Sequence, residues 1–143
     1  MKRLILASNQ LPVHITRSDE DYYIEKADEQ TISGLQDFYS AFHPRWVGLT
    51  PFENHDFSEA QAEKLSQQLN DFNCVPIFPR PRDRNLYLHG FAKNTIWPLF
   101  HYFTQNVTYS EISWKVYAKI NRLYAEKIIP MIQEGDIIWI HDY

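Results

Sequence analysis

Three places along the chain gather side chains suited to binding a polar ligand. The first is the stretch DIIWIHDY, an apolar run that delivers His141 and Asp142 to its end. A carboxylate there can accept hydrogen bonds from sugar hydroxyls, and an imidazole beside it can donate or accept. The same pair also reads as a satisfied histidine and a helix-capping aspartate. The second is GFAKNTIWPLFHY, residues 90–102, where aromatic rings alternate with polar groups and could form a platform for a sugar ring. At this density Trp97, Leu99, Phe100 and Tyr102 are mostly expected in the core. The third is RPRDR, residues 80–84, whose three arginines sit in an otherwise acidic protein. A guanidinium fork suits a phosphate; the plainer reading is a solvated loop.

Other chemistries find little support. The chain has four glycines, against about ten at average usage. No GxGxxG or GxxxxGK[ST] occurs, so dinucleotide and P-loop sites built from those motifs are not expected. There is no GxSxG for a nucleophile elbow. His14, His43, His55, His89 and His101 are scattered and Cys74 lies in an apolar run, so neither metal nor cofactor is expected.

The elements that must position these groups follow from periodicity. Residues 3–8 (RLILAS), 45–49 (RWVGL), 74–78 (CVPIF) and 136–141 (DIIWIH) are short apolar runs bounded by turn residues. Each predicts a strand buried on both faces, as in a parallel sheet. Residues 22–25 give a weaker signal, a hairpin or loop. Ser58 to Gln61 forms a capping-box pattern ahead of helix formers that run to Leu69. A second helix is expected over 32–42 and a long one over 113–133. In the long one, Val116, Tyr117, Ile120, Leu123, Tyr124 and Ile128 form one buried stripe, with Pro130 in its last turn. Strands alternating with helices predict an α/β fold with right-handed crossovers. Ligands then bind beyond the carboxyl ends of the strands, at 9–10, 49–50, 78–84 or 141–143.

The 143 residues, 44% apolar and 22% charged, describe an ordinary globular chain. The net charge of -4 argues against a nucleic-acid partner. No apolar run approaches the roughly 18 residues of a membrane span, so no membrane partner is expected. One cysteine allows no internal disulfide, which fits a cytoplasmic protein. The oligomeric state stays open.

Taken together, SNQLPV, WVG, VPIF, the GF…WPLFHY segment and GDIIWIHDY resemble the trehalose-6-phosphate synthase family. These retaining glycosyltransferases join UDP-glucose to glucose 6-phosphate. The matching stretches stand in the family's order and at about its spacing. The resemblance implies a GT-B architecture of two Rossmann-like domains facing across a cleft, without a metal. Residues 1–143 would be a partial N-terminal acceptor domain. The nucleotide-sugar domain and its catalytic arginine and lysine would lie outside the chain, which is expected to be inactive alone.

By the same resemblance Asp142 and Trp97 are expected to contact the acceptor, and Gly34 to lie near the donor pyrophosphate. The departures fall on the acceptor side. Gln10 stands where the family has an arginine, and Leu88 where it has a tyrosine. Ala92-Lys93 replaces Ser-Asn, Ser33 replaces a glycine beside Gly34, and Leu49 replaces a tryptophan. Lys93 or an arginine of 80–84 could supply the lost phosphate contact. Two other readings remain: a non-catalytic module binding a sugar phosphate or a partner, and a sister enzyme with another phosphorylated acceptor.

Overall fold

The computed structural model describes residues 3–19, 21–27 and 42–143. The helix expected over 32–42, and Gly34 with it, lies outside these residues apart from Phe42.

Four of the apolar runs form one parallel sheet. β1 (Leu4–Ser8), β4 (Arg45–Leu49), β5 (Cys74–Ile77) and β6 (Ile137–Ile140) lie in the order β5-β4-β1-β6. All three pairings are parallel, with Leu6 opposite Trp46 on one side and Trp139 on the other. β5 sits at an edge, which accommodates Pro76 and its missing N–H. The weak signal at 22–25 resolves as half of an antiparallel hairpin. In it β2 (Val13–Arg17), which sequence periodicity does not single out, pairs with β3 (Tyr22–Lys26).

The helices cover both faces. α1 (Glu59–Asn70) opens with the expected capping box, Ser58 and Gln61 exchanging side-chain and backbone bonds. Its Leu65 and Leu69 are buried with Leu4, Leu6, Trp46 and Cys74. Burial in that cluster pushes the Cys74 thiol up to about 12. The long helix, α4 (Glu111–Ile128), caps on Ser110 and passes into a 3₁₀ turn, Ile129–Met131, at Pro130. Its predicted stripe packs on the other face, with Ile120 and Ile128 buried among Ile5, Val47, Leu49 and Ile77.

Residues 81–100 form one nearly continuous helical arm. α2 (Pro81–Asn85) widens into a π-helical segment, Leu86–Ile96, and closes as α3 (Trp97–Phe100). The arm packs along α4, and Gly90 permits the approach. A Cβ at that glycine would stand 2.6 Å from the Ser113 hydroxyl.

Three expectations are corrected. Residues 80–84 are not a solvated loop: Pro81 starts α2, and Arg84 is 6% exposed. The aromatics of WPLFHY are not core, because the arm ends there and turns outward. Trp97 is 42% and Tyr102 90% exposed, while Leu99 and Phe100 are exposed as well and only Pro98 is buried. β6 is not buried on both faces. It pairs with β1 alone among the described residues, and Ile140 is 73% exposed. α4 leaves a groove of about 260 Å³ against it, with Ile128 and Ile132 facing Ile138 and Ile140.

No helix among the described residues is long and apolar enough to cross a membrane.

Candidate functional site

The strand order fixes where a ligand fits. The chain runs from β1 to β4 and β5 on one side, then returns to place β6 on the other. The order therefore reverses between β1 and β6, and a crevice opens beyond their carboxyl ends. Asn9 follows β1 there, and His141, Asp142 and Tyr143 follow β6.

These ends are tied together. The His141 backbone N–H donates to the Ala7 carbonyl at 2.8 Å, extending the ladder by one rung. The Asn9 backbone N–H donates to Asp142 Oδ2 at 3.0 Å. Asp142 adopts φ 65°, a left-handed conformation that aspartate tolerates better than most residues. Its side chain is exposed, and Oδ1 has no protein partner among the described residues. The site thus presents an oriented carboxylate with one oxygen held and one open to a hydroxyl.

Two phenols brace the floor. The buried Tyr87 hydroxyl lies 2.7 Å from Asn9 Oδ1 and 2.9 Å from the Tyr143 main-chain oxygen, two acceptors sharing one proton. Tyr124, from the α4 stripe, donates to the Ser8 carbonyl at 2.8 Å. Burial first, and then their mutual proximity to other phenols and to Asp142, push both phenols above the ordinary tyrosine range. Both stay neutral donors at physiological pH. Ser8 relays a further chain: Trp46 Nε1 donates to its hydroxyl, which donates to the Gln10 carbonyl, each at 2.6 Å. Gly48 leaves room for that turn, since a Cβ would stand 3.1 Å from the Gln10 carbonyl group.

The residues named from sequence are only partly gathered. Asp142 sits in the crevice, and Gln10 is beside it but points to solvent. Trp97 opens α3, its ring stacked on His101 (4.2 Å, 17°) and parallel to Phe103 (5.8 Å, 10°), while Phe100 one turn on meets the Tyr143 ring at 6.0 Å. His141 stacks on Trp139 at 4.9 Å. Leu88 joins the apolar cluster beneath α4 and offers no hydrogen bond. Lys93 is exposed and makes no ion pair among the described residues. Tyr124 escaped the sequence reading, because an aromatic in a helical stripe carries no sign that its hydroxyl ends at the sheet's rim. Asn9 and Tyr87 carried a signal: a strand-end position, and adjacency to Leu88.

The sequence profile of Glycosyltransferase family 20 matches residues 2–143. The chain belongs to that family. It is 34% identical, over 99% of its length, to alpha,alpha-trehalose-phosphate synthase [UDP-forming] 1 of Aspergillus niger, of which it covers 27%. The family fold is shared with the alpha,alpha-trehalose-phosphate synthase (UDP-forming) of Burkholderia vietnamiensis. That match has a TM-score of 0.68 and 23% identity, and covers all of this chain and 27% of the other. A Burkholderia xenovorans counterpart, solved in complex with glucose 6-phosphate, superposes with a TM-score of 0.56. It is 23% identical, with 99% of this chain and 28% of that one covered. This family 20 chain therefore spans a little over a quarter of the length of the relatives it matches. Its α/β sheet is part of a GT-B fold.

Proposed function

We propose that the chain forms the acceptor side of a glucosyl transfer from UDP-glucose to glucose 6-phosphate, the reaction that makes trehalose 6-phosphate. The observation that carries this reading is the Asp142 carboxylate, held by the Asn9 amide at the switch point with Oδ1 open. Such a group can take a sugar hydroxyl in a charge-assisted bond. The glucose 6-phosphate complex of the Burkholderia xenovorans relative supports the choice of acceptor. The exposed Trp97 is the candidate for apolar contact with the sugar ring. Gly34 remains the candidate for approach to the donor pyrophosphate, with no metal or cofactor assigned.

In this reading residues 1–143 are the N-terminal part of the first domain of a two-domain, cytoplasmic enzyme. Charge growing on the departing pyrophosphate needs cations, and these come from the nucleotide-sugar domain. The chain alone binds acceptor without turning it over. Calorimetry with glucose 6-phosphate should show saturable binding, while UDP-glucose plus acceptor should yield no trehalose 6-phosphate. Trehalose 6-phosphate formed by 1–143, or no acceptor binding, would overturn the reading.

Leu88 in the apolar cluster and solvent-facing Gln10 favour a second reading, a binding module or a sister enzyme with a different phosphorylated acceptor. Tighter binding of another sugar phosphate than of glucose 6-phosphate would select it.

A further inference from the structure

The helical arm buries a cation that the acceptor crevice does not use. Arg84 is 6% exposed, and one Nη donates to the Thr50 carbonyl just beyond β4. Its Nε is buried without any partner. No carboxylate forms an ion pair with it among the described residues. Neighbouring Asp83 is engaged instead by Lys119 at 2.7 Å and Arg80 at 3.8 Å. Burial holds the Arg84 pKa below the ordinary arginine value, opposed by the field of Glu53. An unpaired buried guanidinium is costly, and a group of that kind beside a cleft marks a candidate binding site.

Such a cleft is present. A cavity of about 40 Å³ opens beside Arg84, with Glu53, Asn54, Asn85 and His89 as its polar wall. Roughly 10–15 Å³ suffices for one water, so the space takes a few waters or one tetrahedral oxyanion.

We propose that this cavity is a phosphoryl site, anchored by the Arg84 guanidinium, with Asn54, Asn85 and His89 supplying further donors. Its placement matches the crevice. Arg84 and Tyr87 lie three residues apart on the arm, the first reaching the loop after β4 and the second Asn9 after β1. Neighbouring strand ends are about 5 Å apart, and β1 lies between β4 and β6, so the Thr50 end and the Asp142 end stand about 10 Å apart, comparable with the length of one phosphorylated hexose. The inference rests on the acceptor reading for the identity of the sugar, and not for the anion. Glu53 is the like charge on the wall and sets an upper limit on affinity.

The test uses inorganic phosphate titrated into the ¹⁵N-labelled chain. Saturable binding should shift the Arg84 Nε–H resonance. Arg84→Gln should weaken binding at least tenfold, and Glu53→Gln should tighten it severalfold. No saturable binding, an unchanged affinity in Arg84→Gln, or weaker binding in Glu53→Gln would overturn the proposal. If Arg84→Gln fails to fold, Glu53→Gln and His89→Ala decide, both being at exposed positions; unchanged affinity in both refutes the site. Glucose 6-phosphate is titrated in parallel. If it shifts the Asn9 and Asp142 signals while phosphate gives no saturable shift at Arg84, the phosphoryl site falls and the acceptor reading stands. If phosphate binds at Arg84 and glucose 6-phosphate binds no tighter, the acceptor reading falls and the anion site stands.

Discussion

Asp142 accepts the backbone N–H of Asn9 at 3.0 Å, joining the ends of two neighbouring parallel strands that are 133 residues apart in sequence. That one bond orients the carboxylate across the crevice and leaves its other oxygen for a ligand. Asp142→Asn keeps an acceptor for the Asn9 amide and removes the charge. Glucose 6-phosphate binding should then weaken about tenfold, the loss of one charge-assisted bond. Calorimetry checks the affinity, and an unchanged thermal midpoint confirms that the fold is intact.

Tyr87→Phe tests the brace beneath that bond. The substitution deletes the hydroxyl facing Asn9 Oδ1 and the Tyr143 main-chain oxygen, and adds no bulk. Stability should fall by about 1–2 kcal/mol, since the hydroxyl's partners lose a bond in a poorly hydrated place. Urea denaturation reads the change; no loss would show that the brace contributes nothing.

Gly48→Ala tests the close passage of the turn after β1. The new methyl would press at 3.1 Å on the Gln10 carbonyl carbon and oxygen and on Leu11 Cδ2. Backbone yields less readily than a side-chain tip, so a cost of about 1–3 kcal/mol is expected. Acceptor affinity should fall with it, because Asn9 is carried on the same turn.

Tyr102→Gly should stabilise the protein. Tyr102 closes α3 at φ 62°, with Phe103 N–H donating to the Pro98 carbonyl at 2.8 Å, a turn in which glycine is the usual residue. Its side chain is almost wholly exposed, so little packing is lost. Relief of the left-handed strain should contribute about 1 kcal/mol, visible as a raised thermal midpoint.

The start of β6 should carry an acid-sensitive contact. Arg3 grips Asp136 with two bonds, Nη2 to Oδ2 at 2.5 Å and Nε to Oδ1 at 2.9 Å. The Arg3 bond first, and then the Gln133 N–H, hold the Asp136 carboxyl at about 2. A depressed folded pKa stabilises only where the unfolded chain's carboxyl, near 3.9, is ionised. The contribution is therefore full above pH of about 4, declines below it, and is lost as pH falls through about 2. Asp136→Asn should flatten the acid limb of a urea midpoint against pH profile between those values and lower the plateau at neutral pH.

Sequence alone was enough for the sheet, the two main helices and the family. Apolar runs in strands and a 3.6-residue stripe in α4 are local consequences of which faces must leave water, so periodicity reports them. GDIIWIHDY and WPLFHY carried the family because they place rare residues in a fixed order. β2 was hidden, since its side chains alternate over only five residues and look like loop.

What tertiary structure alone decided is where polar atoms meet. Sequence named Asp142, but only the reversal of strand order beside β1 brings the Asn9 amide to it. Sequence named Leu88 as a substituted position, but the turn of the arm puts Tyr87, one residue away, into the crevice and Leu88 into the apolar cluster. The arginines of 80–84 looked alike in a row. Helical geometry separates them, leaving Arg82 exposed and sealing Arg84 against Thr50 without a counter-ion. Hydrophobic pattern is a property of neighbours along the chain, whereas hydrogen bonds and buried charge depend on atoms that the fold brings together from far apart.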